Sequence, residues 1–365
     1  MKYTMLKEVC SIKMGQSPAS DSYNYNGKGV PFFQGNADFG ERYPVARKWC
    51  SAPLKMAEPE DILISVRAPI GALNYTKEEC CIGRGLAALT PNKSKVSPEF
   101  MFWLLKGKNT ELNSKGTGST FKAIGRKVLE EILVPDIGIE QQAEYSAILE
   151  KINGIIQLRK HELQKLDDLT KARFIEMFGD PISNPFGWQV KKLADVSVLI
   201  TNGNTPKGGS ENYVDEGIIF LRSQNVWRNR IDLDDVAYID IDTHAAMKKS
   251  SVHDKDILIT KTGRINTENS SLGRAALFHG TDNSANINGH IYLVRLDGTV
   301  IPEYVVAILT GEPYRRYIRK VCVGGIDKRQ INLDQVEDFP IILPPIELQE
   351  QFVTFVTQTD KSKVV

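Results

Sequence analysis

The 365-residue sequence has no run of apolar residues approaching the ~18 that a membrane helix needs. Residues 1–9 carry no apolar stretch of signal-peptide length, so no membrane partner and a cytoplasmic location are expected. Cysteine is scarce: Cys10, Cys50, Cys80, Cys81 and Cys322 are odd in number and form no Cys-x-x-Cys pair, which argues for reduced structural thiols. The five histidines are scattered without ligand spacing, so no metal site is expected. Charge of one sign is also missing. With 46 Lys+Arg against 45 Asp+Glu the net charge is +1, which excludes the broad basic surface of a generic nucleic-acid binder. A reader that gathers its cations on one concave face stays open. There is no Gly-x-x-x-x-Gly-Lys phosphate loop, no strand-to-helix glycine-rich cofactor loop and no Glu-x-Lys of a nuclease centre. Asn184-Pro185-Phe186 lacks the second proline of an adenine-methylating site. A catalytic role is therefore disfavoured.

What the chain does have is a copy of itself. Length suggests two domains, and 41% hydrophobic residues suffice for two cores. Leu6-x-x-Val9 followed by Gly15-Gln16-Ser17-Pro18 is matched by Leu193-x-x-Val196 and Gly203-Asn204-Thr205-Pro206. Asp61-Ile62-Leu63-Ile64 is matched by Asp256-Ile257-Leu258-Ile259, and Pro98-Glu99-Phe100 by Pro302-Glu303-Tyr304. Gly118, Lys122, Ile124, Leu129, Glu130, Gln142, Tyr145, Ile148 and Leu149 recur 207 positions later as Gly325, Arg329, Ile331, Val336, Glu337, Gln349, Phe352, Phe355 and Val356. An ordered series with a growing offset indicates two copies of one fold. Segments 61–65 and 256–260 read as buried strands, and Ser97-Pro98-Glu99 as a capped helix start.

The pattern changes over 140–178. Tyr145, Ile148, Ile152, Ile155, Leu163, Leu166, Leu169, Phe174 and Met177 lie near a 3-4 spacing, predicting an amphipathic helix of coiled-coil type, about 58 Å long. Gly154 inside it calls for packing to hold that turn, and Gly179-Asp180-Pro181 ends it. A partner helix begins near Glu347, with Phe352, Phe355 and Val356 starting its stripe, but the sequence stops at about half the first helix's length. The expected arrangement is α+β: a mixed α/β domain at 1–139, a long linker helix at 140–179, a second similar domain at 180–346, and a second helix that starts at 347–365 and looks truncated.

Two variable lobes, two helical segments, Met177-Phe178-Gly179-Asp180-Pro181 followed by Asn184-Pro185-x-Gly187-Trp188, and Leu343-Pro344-Pro345 before Gln349 resemble the specificity subunits of type I restriction-modification systems. The loop Gly118-Ser119-Thr120-Phe121-Lys122-Ala123-Ile124 fits the same family, while its second copy, Gly325 to Ile331, lacks the Ser/Thr. The resemblance implies a DNA-binding protein without a catalytic centre, whose lobes each read one half of a split double-stranded target while the helices set the gap. It implies methyltransferase subunits as partners, joined by a motor-nuclease subunit. It places S-adenosylmethionine, ATP and Mg on those partners, with no cofactor in this chain. Self-association through the short helix pair is a further expectation.

Direct readout favours Arg, Lys, Asn and Gln on loops. The first lobe offers Gln34, Asn36, Arg67, Arg84, Lys122 and Arg126; the second offers Arg222, Gln224, Asn225, Lys261, Arg264, Lys328 and Arg329. Tyr314-Arg315-Arg316-Tyr317 mixes cations with aromatics, as a binding surface or as the wet face of a helix. Two other readings compete: a duplicated adaptor that binds protein or glycan, and a DNA methyltransferase or nuclease.

Overall fold

The computed structural model describes residues 2–118, 122–206, 208–267 and 269–364. They form two compact units, Met1–Arg159 and Lys160–Val365, and the boundary falls inside one helix, Ile139–Phe178.

In the first unit, an antiparallel sheet is ordered Cys10–Met14, Leu86–Pro91, Ile62–Ser65, Leu73–Tyr75. A second sheet is ordered Tyr23–Asn24, Trp49–Cys50, Val30–Phe33, Cys80–Ile82, Met56–Ala57, with Val30–Phe33 parallel to Cys80–Ile82. Tyr3–Met5 pairs with Leu133–Pro135. The second unit repeats this plan. Its first sheet is ordered Ser197–Asn202, Ile291–Leu296, Ile257–Thr260, Ala275–Leu277, and its second contains Ile218–Leu221 parallel to Ala285–Ile287. Gln189–Lys192 pairs with Pro340–Leu343.

The central strands explain their own composition. Side chains alternate across a strand, so a segment covered on both faces must be apolar throughout. Ile62, Ile64, Ala87 and Leu89 face a layer with Phe100, Met101 and Leu105, from the helix Pro98–Gly107. Leu63, Leu86 and Ala88 face the other sheet with Phe33, Cys80 and Ile82. In the second unit Ile257 and Ile259 pack towards Tyr304 and Ile308, while Leu258, Ile291 and Leu293 pack towards Leu221 and Ile287. The five cysteines are buried and free, and burial pushes the Cys10 and Cys80 thiols up to about 12.

Each copy also buries two polar landmarks. Asp61 accepts from the Glu58 N–H at 2.9 Å and from the Thr90 hydroxyl at 2.6 Å. Asp256 accepts from the His253 N–H at 2.7 Å and takes a two-pronged Arg295 guanidinium at 2.9 and 2.7 Å. Gln142 accepts from the Ser97 N–H at 2.9 Å, and Gln349 accepts from the Ile301 N–H at 3.1 Å, each tying a late helix to the start of an earlier one.

The long helix ends as its residues dictate. Gly179 has a positive φ of 76°, and a Cβ there would lie 2.6 Å from Pro185. The Trp188 indole N–H donates to the Phe178 carbonyl at 3.0 Å. Asn184 holds the Trp188 backbone through both ends of its amide, at 2.7 and 2.9 Å, so this side chain is committed to the helix stop. Next to it Phe174 and Phe178 pack on Tyr304 and on Phe352 of the C-terminal helix Ile346–Val364, with ring centroids 5.0–5.9 Å apart.

The expected packing stripe needs correction. Phe352 is buried, Phe355 and Val356 are half-buried, and so are Leu163 and Leu166. Tyr145, Ile148, Ile152, Ile155 and Leu169 are exposed, with Ile155 at 58%. In the first unit the helix is held instead by the buried polar pair Gln142 and Ser146, and by Arg42 on Glu150 at 2.6 Å. Gly154, expected to be packed, has nothing within 4 Å of a Cβ.

Two stability effects follow. Gly154→Ala should stabilise the chain by about 1 kcal/mol, because the methyl meets open space and the helix gains propensity; a lower thermal midpoint would contradict that. Asp256→Ala should cost about 3 kcal/mol by stranding Arg295. Asp61→Ala strands only neutral donors and should cost about 1–2 kcal/mol. Urea denaturation of both variants measures the difference, and equal losses would argue against the charge.

Candidate nucleic-acid interface

Loops leaving the same edge of each unit are joined by backbone hydrogen bonds. In the first unit Gly15 lies so close to the 83–86 turn that a Cβ would meet the Gly83 carbonyl oxygen at 2.2 Å. Gly83 donates to the Phe33 carbonyl at 2.8 Å, and Gly85 donates to the Gln34 carbonyl at 3.2 Å. Val66 donates to Gly85 at 2.9 Å, Ala68 to Lys122 at 3.0 Å, and Ile124 to Val66 at 2.9 Å. This chain of contacts brings Gln34, Arg67, Arg84 and Lys122 to one edge, and all four side chains are exposed.

The second unit builds the same edge. A Cβ on Gly203 would meet the Ile287 carbonyl oxygen at 2.2 Å. Asn288 donates to Leu221 at 2.9 Å, Lys261 to His290 at 2.8 Å, and Ile331 to Lys261 at 2.9 Å. Arg222, Lys261, Arg264, Lys328 and Arg329 are thereby gathered, with Arg264 paired to Lys328 and Gly263 to Arg329 across a short ladder. An open groove of about 450 Å³ runs along it, lined by Thr262, Arg264, Asn269, Ser271, Arg274 and Lys328 among others. Structurally equivalent positions carry different side chains: Gln34 lies where Arg222 does, and Arg84 where Gly289 does.

The individual candidates divide. Arg67 and Lys122 have no side-chain hydrogen bond or ion pair among the described residues, so both cations are available to a ligand. Asn36 starts the 3-10 turn Asn36–Asp38, in which the Asp38 carboxylate accepts from the Gln34 N–H at 2.7 Å. Arg126 is tied to Glu130 at 2.6 Å, one turn along its own short helix. Arg222 and Gln224 both hold Asp235, at 3.2 and 2.9 Å, which fixes their direction. Arg264 pairs with Asp327 at 3.4 Å, and Lys261 lies over the Tyr292 ring at 5.6 Å. The Arg329 guanidinium is half-buried and donates to the Cys322 carbonyl at 3.4 Å, leaving Lys328 as the more exposed cation.

Asn225 is a correction. It is 2% exposed; its amide donates to the Asp232 and Asp235 carbonyls at 3.0 and 2.8 Å and accepts from the Arg222 N–H at 2.9 Å. A turn whose carbonyls point inward needs a buried donor, and Asn225 supplies it rather than reading bases. Ser119, Thr120 and Phe121 of the first glycine loop lie outside the described residues. Arg274, which lines the groove, has no cationic counterpart in the first half and so was not marked by the repeat. His290 could have been found, since its backbone stands where that of Gly85 does.

No group of three or more metal-ligating side chains with suitable geometry occurs among the described residues, and none of their helices is long and apolar enough to cross a membrane.

Comparison with known proteins fits this architecture. The family described as "Type I restriction modification DNA specificity domain" matches residues 1–168 and again 185–364. The putative type I restriction enzyme MjaX specificity subunit of Methanocaldococcus jannaschii is 43% identical over 160 residues. That match spans 44% of this chain and only 38% of the relative's length. The type I restriction enzyme MjaIX specificity subunit of the same organism is 22% identical, covering 96% of this chain and 84% of that one. The crystal structure of the type I restriction-modification system S subunit from M. genitalium covers 99% of this chain and 90% of its own, with a TM-score of 0.56 and 12% identity, a likeness of fold. Matched in both of its halves, the chain belongs to the family of type I restriction modification DNA specificity domains.

Proposed function

We propose that the chain is the DNA-reading subunit of a type I restriction-modification complex in the cytoplasm, each lobe reading one half of a bipartite double-stranded target. The observation that carries this reading is the duplicated edge: one backbone framework presents Gln34, Arg67, Arg84 and Lys122 in one lobe and Arg222, Lys261, Arg264 and Lys328 in the other. Cations near glycine-backed loops suit phosphate contact, and the polar side chains between them suit base edges. Because the surfaces differ on a shared frame, the half-sites should differ in sequence.

In this reading the helical segments set the spacing between half-sites and dock methyltransferase subunits, which bring S-adenosylmethionine. A motor-nuclease subunit with ATP and Mg completes the restriction form. The exposed Ile148, Ile152 and Ile155 offer those partners apolar surface, and also offer it to a second copy of the chain. The chain itself contributes recognition rather than chemistry. The Asn184 amide is taken up by the helix stop, which leaves no flipped-base grip at Asn184-Pro185-Phe186.

Selection from random duplex pools should enrich two short motifs at a fixed separation; a single contiguous motif, or no enrichment, would reject the reading in favour of an adaptor. Lys122→Ala should weaken binding to all duplexes alike and lower the slope of log affinity against log salt by about one. An unchanged slope in filter-binding titrations would remove Lys122 from the phosphate contacts.

A further inference from the structure

Residues 34–48 and 222–236 join equivalent strands and are equal in length, yet they fold differently. In the first unit Gly40 and Asn74 exchange hydrogen bonds at 3.0 and 3.1 Å, and Arg42 is tied to Glu150. In the second unit the connection closes on the buried Asn225, whose amide donates to the Asp235 carbonyl at 2.8 Å. The same carbonyl accepts from the Arg222 guanidinium at 2.9 Å, so the backbone of Asp235 is anchored to the turn at 222–225. The Asp235 carboxylate itself is exposed, and both of its oxygens are in use. One accepts from Arg222 at 3.2 Å and the other from the Gln224 amide nitrogen at 2.9 Å. The Asp232 carboxylate pairs instead with Arg230, at 3.3 Å.

An acidic side chain on an edge that meets phosphates costs affinity, because like charges repel. The bonds of Asp235 show what it supplies in exchange. A carboxylate only accepts, so the end of the Gln224 amide that meets it is the NH2 group. The polarity of the amide is thereby fixed. One N–H goes to Asp235, while the second N–H and the amide oxygen have no partner among the described residues, and the side chain is exposed. A donor beside an acceptor, in that fixed order, matches N7 and the N6 amino group of adenine in the major groove. Arg222 holds the carboxylate from its other oxygen and keeps it from turning away. The first copy differs. Counted along the two equal connections, Asn36 stands at the place of Gln224, and Arg47, which has no acceptor, at the place of Asp235.

We propose that Asp235 is a positioning residue that orients the Gln224 amide to read an adenine in the half-site of the second lobe. The proposal rests on the DNA-reading function above. Its test uses the full chain and the duplex selected by it, with each adenine replaced in turn by 7-deazaadenine, which keeps the base pair and lacks the N7 acceptor. At one adenine the replacement should weaken the wild-type chain several-fold, and Gln224→Ala should bind the two duplexes equally. Asp235→Asn should leave the thermal midpoint unchanged, because the anchoring backbone carbonyl is retained. It should lose the same sensitivity, since an asparagine amide both donates and accepts and no longer dictates how Gln224 lies. Its affinity for unselected duplex should rise, a negative charge having left the edge. A chain that selects no duplex overturns both proposals. A split motif in which no adenine loses its sensitivity in both variants overturns this one alone. So does an Asp235→Asn chain whose discrimination fails at a cytosine, which would make Asp235 the reader. A lower midpoint with both affinities reduced together would mark a structural role and overturn it as well.

Discussion

Two short strands, Ile62–Ser65 and Ile257–Thr260, are covered on both faces, and the position of everything else depends on that burial. With apolar layers above and below, every side chain of these strands is held inside the protein. At one end each strand is anchored by a buried carboxylate, Asp61 or Asp256. At the other end it delivers its chain to the proposed reading edge at Arg67 or Lys261. Rigid core and exposed loop are therefore neighbours along the sequence.

Much of this was legible in the amino-acid sequence because the repeated landmarks are structural necessities. Gly15 and Gly203 recur since a neighbouring carbonyl leaves no room for a Cβ, and Asp61 and Asp256 recur since a turn needs its N–H groups met inside the protein. Gln142 and Gln349 lie at the start of an apolar stripe and look like surface, yet they are buried and do the same bonding. The helix stop around Gly179 is similarly readable, each residue of that motif having one geometric task.

What stayed hidden has equally physical causes. Asparagine serves solvent, bases or a turn's own carbonyls with the same amide, so nothing local marked Asn225 as buried. A 3-4 apolar spacing states which face of a helix is apolar, not what covers it, and Ile148, Ile152 and Ile155 are exposed. Arg274 stacks on Trp227, 47 positions away, and has no cationic counterpart in the first half, so comparison of the halves could not find it.

The equal-length connections, residues 34–48 and 222–236, have one more consequence. Each begins and ends on paired strands of the same small sheet, so its conformation can be rewritten without disturbing the anchorage at either end. Such a segment behaves as a cassette. Exchange confined to its exposed positions would change the side chains it presents, whereas Val226 in one copy and Phe39 in the other pack with the hydrophobic layers behind and have to stay apolar.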